Sequence, residues 1–276
     1  MNGDVLLRVE GLSKRFGHGR HAYQALEDVG FEVRQGEILG LVGESGSGKS
    51  TIIRCLVGLE KESSGSIRYD GIDPARPKRG ELDRYRREVQ MVFQDPYSSL
   101  DPRMTVRQIV EEPMLVMGGF SDRERRARID ELMDIVGLHP EHLDRYPRHF
   151  SGGQRQRIAI VRALVVGPRV LLCDEPVSAL DVSVQAQVLN LLKDMQRQLD
   201  LTVLFVSHDL AVVKYLCSRI VVLNKGVIAE SGTVAEIYEH PEDPYTRALL
   251  EAVPVPDPAQ ERARRAVRLE KLAAAS

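Results

Sequence analysis

The sequence predicts an α/β fold: a mainly parallel sheet covered by helices, with a smaller antiparallel sheet beside it. Three observations lead there. Residues 38–42, 170–173, 203–206 and 220–223 are short runs without a polar side chain, as strands buried on both faces of a parallel sheet must be. Helical patterns lie between them. The clearest spans 182–199, where Val184, Val188, Leu191 and Met195 recur at i, i+4, i+7 and i+11 and predict the stripe that is buried. Before Gly36 the pattern becomes an alternation, with Val5, Leu7 and Val9, then Phe31 and Val33, followed later by Ile67 and Tyr69. That predicts half-buried antiparallel strands.

The 276 residues are 43% hydrophobic, 28% charged and 5% aromatic, which describes an ordinary globular chain rather than a disordered or disulfide-stapled one. Lys and Arg total 38 against 40 Asp and Glu, so a net charge of −2 gives no chain-wide attraction to nucleic acid or acidic lipid. Cys55, Cys173 and Cys217 are widely spaced and form no metal-ligand pattern, which suits buried thiols in a reducing compartment. Residues 1–10 lack the basic-then-apolar layout of a signal peptide. No apolar run approaches the roughly 18 residues needed to cross a bilayer.

Along the chain, the strand at 38–42 runs into Gly43-Glu44-Ser45-Gly46-Ser47-Gly48-Lys49-Ser50, and then into a helix carrying Ile52, Ile53 and Leu56. The segment fits G-x-x-x-x-G-K-[ST] in the strand-to-helix setting that pattern requires. Its glycines let successive N–H groups curl around a phosphate, and the helix N-terminus adds its positive dipole end. Lys49 then reaches the β and γ phosphates and Ser50 offers a hydroxyl to Mg²⁺. The strand at 170–173 ends in Asp174-Glu175, which places Asp174 to hold Mg²⁺ and Glu175 to act as general base. Together these elements indicate a P-loop nucleotide triphosphatase. Guanine recognition usually needs N-K-x-D, and Asn224-Lys225-Gly226-Val227 lacks the acid.

From about 95 to 150 the strand signal gives way to Pro, Met and charged helical stretches such as 122–136, which predicts an inserted helical subdomain. After Gly232 the chain turns helical again, then reaches Val253-Pro254-Val255-Pro256-Asp257-Pro258, which resists regular structure. Arg262, Arg264, Arg265, Arg268 and Lys271 follow, read as a solvated terminal helix. The expected division is 1–232 for the ATPase domain and 233–276 for a C-terminal extension with a basic tail.

Ser151-Gly152-Gly153-Gln154-Arg155-Gln156-Arg157 opens a helix bearing Ile158, Val161, Leu164 and Val165. A serine N-cap and two glycines form a second anion-binding helix start. This segment resembles the signature sequence of ATP-binding cassette (ABC) proteins. Gln94 after the strand-like 89–93 resembles the family's Q-loop, Ser178-Ala179-Leu180-Asp181 its D-loop, and His208 its switch histidine. Three further stretches are similar to the ATPases of oligopeptide, dipeptide and nickel importers: 92–103, containing Pro96-Tyr97-Ser98; 181–188; and His240-Pro241-Glu242-Asp243-Pro244-Tyr245 through Leu250.

The resemblance implies an ABC-type nucleotide-binding domain that hydrolyses ATP with Mg²⁺ and energises peptide import. Gly43 through Thr51 would hold the phosphates, Phe16 would stack on adenine with Tyr23 as its rival, and Ser50, Gln94 and Asp174 would complete the metal site. Glu175, His208, Gln94 and Lys49 would carry catalysis. Ser151, Gly152, Gly153 and Gln154 would act on the nucleotide of a partner subunit, because in this family each nucleotide lies between the P-loop of one cassette and the signature of another. Expected partners are a second ABC ATPase subunit, taken to be a paralogue, two integral-membrane permease subunits and an extracytoplasmic solute-binding protein. No nucleic acid is expected. The chain would sit peripherally on the cytoplasmic face of the cell membrane, with the helical region after Gln94 receiving the permease. Alternatives are nickel or metal-chelate import and an ABC ATPase outside transport. Cys173, Val177 and Phe150 depart from commoner family choices without touching the chemistry, and no cysteine follows Cys217, so no iron–sulfur cluster is expected.

Overall fold

The computed structural model describes residues 4–17, 19, 22–95 and 99–252. The Pro-rich stretch 253–258, the basic tail and Pro96-Tyr97-Ser98 lie outside the described residues. The chain runs β1 (Val5–Phe16), β2 (Tyr23–Arg34), β3 (Ile38–Val42), α1 (Lys49–Leu56), β4 (Ser64–Tyr69), α2 (Glu81–Glu88) and β5 (Val89–Val92). It continues through α3 (Val106–Met117), α4 (Asp122–Ile135), α5 (Gly152–Leu164), β6 (Val170–Asp174), α6 (Val182–Gln198) and β7 (Thr202–Ser207). The described residues close with α7 (Leu210–Leu216), β8 (Arg219–Asn224), β9 (Val227–Thr233), α8 (Val234–Glu239) and α9 (Pro244–Glu251).

Two sheets form. The larger has the order β5-β6-β7-β3-β8-β9, parallel except for β9, which returns antiparallel along β8. The smaller is antiparallel, β2-β1-β4. Every residue of β3 is buried, and the reason is visible in its alternation. Ile38 and Val42 pack into the core under the helices, whereas Leu39 and Leu41 pack into the core shared with α1 and the antiparallel sheet. A strand with two buried faces cannot alternate with polar residues, which is why the sequence reads as a continuous apolar run. Each such leucine contributes about 1.5–3 kcal/mol by leaving water.

The strand expected at 89–93 stops at Val92, and Phe93 is exposed. The stripe expected on α6 is also shifted. Val188, Leu189, Leu192 and Met195 are its buried residues, while Val184 and Leu191 are only partly covered. Both stripes share Val188 and Met195; rotating the seam toward Leu189 and Leu192 satisfies the 3.6-residue period equally well. Between β5 and β6, α3 and α4 each begin with a reciprocal capping box, Thr105 with Gln108 and Ser121 with Glu124.

Candidate active site

Strand β3 delivers Gly43 to the sheet's carboxyl edge, where only a glycine fits: a β-carbon there would lie 2.2 Å from the Leu223 carbonyl oxygen. The loop that follows is tied down by its own backbone and its neighbours. Ser47 N–H donates to Glu44 O (3.1 Å), and Gly226 N–H donates to Ser47 O (2.9 Å). At Gly48 the chain enters α1 with no side-chain cap, so among the described residues the first N–H groups of that helix have no side-chain acceptor. Lys49 folds back across the loop, its ammonium donating to Gly43 O (2.7 Å), Glu44 O (2.8 Å) and the Ser47 hydroxyl (3.4 Å). Burial pushes the Lys49 pKa down, and the carboxylates of Glu175, Asp174 and Glu44 oppose that shift.

Strand β6 brings its terminal acids alongside. Ser50 Oγ donates to Asp174 Oδ1 at 3.1 Å. Burial raises the Asp174 pKa, opposed by the Ser50 bond and reinforced by the charge of Glu175. A hydroxyl oxygen beside a carboxylate suits a hard divalent cation such as Mg²⁺, so the residues present fit the ion. Among the described residues there is no cluster of three or more His, Cys, Asp or Glu that could hold a metal by protein ligands alone.

Glu175 adopts a left-handed backbone, φ 45°, fixed by its N–H donating to Val206 O at 3.1 Å. That turn points the carboxylate away from the strand. One oxygen, Oε2, accepts from Gln94 Nε2 (3.3 Å) and meets His208 Nδ1 at 3.0 Å. Since a carboxylate only accepts, this contact places an imidazole hydrogen on Nδ1. Gln94 and the histidine after β7 thus converge on the same oxygen.

Apart from Asp174, which does not line it, the predicted phosphate, metal and catalytic side chains share one cavity of about 660 Å³, within the range of roughly 300–1,000 Å³ usual for small-ligand sites. Phe16, Gly43 to Gly46, Gly48 to Thr51, Gln94, Glu175 and His208 line it, apart from buried Ser47 beneath the loop. Phe16 and its rival Tyr23 are both in the wall, and the Lys14 ammonium sits 4.6 Å from the Phe16 ring centre. Leu249 and Ala252 also line the cavity, and Tyr245 O–H accepts from Glu44 N–H at 3.1 Å. Sequence reasoning gave these α9 residues no role. The His-Pro-x-x-Pro-Tyr stretch was the available signal, read only as a marker of kinship.

Ser151 to Gln154 do not line this cavity. Ser151 caps α5, its hydroxyl accepting from Gln154 N–H while Gln154 Oε1 accepts from Ser151 N–H. Gly153 has a packing reason of its own: a β-carbon would lie 2.3 Å from Val184 Cγ1 at the start of α6. Asp181, which closes Ser178-Ala179-Leu180-Asp181, caps that helix through Val184 N–H (3.0 Å). A second hollow, of about 640 Å³, opens among Ser99 to Met104, Ile109, Glu112 and Arg162.

A family profile described as ABC transporter matches residues 26–178, and one described as oligopeptide/dipeptide transporter, C-terminal region, matches 229–274. A putative peptide import ATP-binding protein of Brucella ovis is 48% identical over 258 residues, covering 94% of this chain and 81% of that protein. The oligopeptide transport ATP-binding protein OppF of Streptococcus pyogenes serotype M1 is 49% identical over 261 residues, covering 94% and 85%. Among solved structures, the dimeric ATP-binding cassette MJ0796 bound to ADP and Pi superposes with a TM-score of 0.74 at 31% identity, covering 83% of this chain and 99% of that one. The cbiO1 subunit of the Clostridium perfringens cbiONQ transporter complex gives 0.75 at 30% identity, covering 87% and 92%.

Proposed function

The chain belongs to the ATP-binding subunits of ABC transporters, and on that premise we propose that it hydrolyses ATP to drive peptide import through a membrane permease. It is an ATPase coupled to transport and works peripherally with integral-membrane partners. Among the described residues no helix is long and apolar enough to cross a membrane. The finer assembly is our reading: two permease subunits, an extracytoplasmic solute-binding protein and a second, paralogous cassette, on the cytoplasmic face of the membrane. The hollow beside Arg162 is the surface we assign to permease docking.

The observation that carries the hydrolytic reading is the convergence of Gln94 and His208 on one oxygen of Glu175, beside a loop whose Ser50 already meets Asp174. On binding, Lys49 exchanges the carbonyls of Gly43 and Glu44 for phosphate oxygens, a stronger charge-assisted pairing. The uncapped N–H groups of α1 add their donors, and Phe16 supplies a ring for the base. Ser50 and Asp174 would hold Mg²⁺, which neutralises charge between the β and γ phosphates when bound. Glu175 takes the proton of the attacking water, while Gln94 and His208 fix its carboxylate in direction. Ser151, Gly152 and Gly153 serve the nucleotide of the partner cassette, in keeping with their absence from their own chain's cavity.

Glu175→Gln tests this. Turnover should fall about 10²- to 10⁴-fold, while MgATP binding persists and nucleotide-bound pairs accumulate on size exclusion. Hydrolysis at the wild-type rate would remove Glu175 as the base.

A further inference from the structure

We propose that α9 is a working wall of the nucleotide site, with Tyr245 holding the phosphate loop and Leu249 and Ala252 contacting the nucleoside end of the bound triphosphate. The inference deepens the ATP-site reading above and rests on it.

Tyr245, Leu249 and Ala252 stand at i, i+4 and i+7, so they form one stripe running about 10 Å along the helix. The stripe begins at the loop, where the Tyr245 hydroxyl accepts from Glu44 N–H, and continues with Leu249 and Ala252 in the wall of the cavity that also contains Phe16. A face that starts at the phosphate loop and extends away from it meets the part of the ligand that is not phosphate. Ala252 is exposed and Leu249 half-buried, so both have surface to offer a ligand.

The position of α9 is fixed by the sheet that positions the loop. Val42, the residue before Gly43, pairs with Val222 of β8, and Val222 pairs with Glu230 of β9. Glu230 then accepts from Glu242 N–H (2.9 Å) and Asp243 N–H (3.2 Å), and Asp243 caps α9 through Tyr245 N–H (2.8 Å). One row across three strands therefore carries the start of the phosphate loop at one end and the anchor of α9 at the other. Such preorganisation lets a helix recognise a ligand without first being ordered. Tyr245 acts as a positioning residue; Leu249 and Ala252 set preference for the nucleoside.

The test is isothermal titration of the full chain with ATP and with inorganic tripolyphosphate, each with Mg²⁺. Leu249→Ala removes part of an apolar wall, and Ala252→Trp, at an exposed position that does not threaten folding, fills the space a nucleoside needs. Each should weaken ATP by about 3- to 10-fold and leave tripolyphosphate within about twofold. Tyr245→Phe should weaken both ligands by the same factor, about 3- to 10-fold, because it loses one hydrogen bond to the loop. The α9 assignment is overturned if wild-type chain binds ATP while Leu249→Ala and Ala252→Trp match it, or if they weaken both ligands equally. Unchanged binding in Tyr245→Phe would overturn the positioning role. Wild-type chain that binds neither ligand would overturn the ATP-site reading itself, and the assignment with it.

Discussion

Two helices in this protein start at glycine-rich turns, and they treat their exposed N–H groups in opposite ways. α1 begins at Gly48 with no side-chain cap, inside the cavity, next to Lys49 and the carboxylates of Glu175, Asp174 and Glu44. α5 begins at Ser151 with a complete capping box, and its first residues lie outside that cavity. A helix start that leaves its donors open is destabilised until an anion arrives, whereas one that caps itself is stable alone and presents only the N–H groups its serine does not use. The difference teaches that two similar sequence motifs divide the labour. On the function proposed above, one captures phosphate within its own chain and the other serves a phosphate brought by a partner.

The harshest way to break that comparison is Lys49→Ala. The lysine is buried and its three bonds end on loop oxygens, so the variant loses both the charge proposed to meet phosphate and a brace of the loop. ATP affinity should fall by about 100-fold or more, the usual cost of truncating a buried hydrogen-bonded charge. Titration calorimetry reads it directly. Affinity within a few-fold of wild type would mean the loop backbone alone captures the triphosphate.

The next effect falls on the other helix start. Gly153→Ala drives a methyl group into Val184, and overpacking of this kind costs about 1–3 kcal/mol. Denaturant midpoints measure it. Ser151→Ala removes the cap of α5 and should cost about 1 kcal/mol, while the ATP affinity of a single chain stays at the wild-type value. A clear drop in that affinity would place the α5 start in its own chain's site and end the division of labour.

Much of this was legible in the sequence for a physical reason. A phosphate loop, a strand ending in two acids and a capped glycine pair are local devices, each specified by residues a few positions apart. Gln94 and His208 were legible as strand-end residues, because parallel strands β5, β6 and β7 bring their carboxyl ends to one edge. What stayed hidden depends on long-range register. β9 is an edge strand, Val-Ile-Ala-Glu-Ser-Gly-Thr, whose apolar run stops after three residues and gives way to polar ones. The contact of Tyr245 with Glu44 exists only because Val42, Val222 and Glu230 share one row of the sheet. The seam of α6 was misplaced because its apolar residues permit two adjacent stripes, and the neighbouring helices choose between them.

The smallest effect expected sharpens the comparison at α1 itself. Asp174 is buried, and burial lifts its carboxyl pKa above the ordinary value, although the Ser50 hydroxyl pulls the other way. With the folded value raised, the folded state binds more protons than the unfolded one between the two, so stability falls as pH rises through that window. Above it the whole cost of a buried carboxylate is present. Asp174→Asn keeps an oxygen for the Ser50 hydroxyl and removes the charge. Without nucleotide, the variant should melt up to a few degrees higher than wild type above the window, and the advantage should shrink as the pH is lowered through it. With ATP and Mg²⁺ the order should reverse, because only the carboxylate gains a partner from the ligand complex. A variant that melts lower than wild type without nucleotide would show that the folded chain already stabilises the charge, and that the α1 start is not held in tension for an incoming ligand.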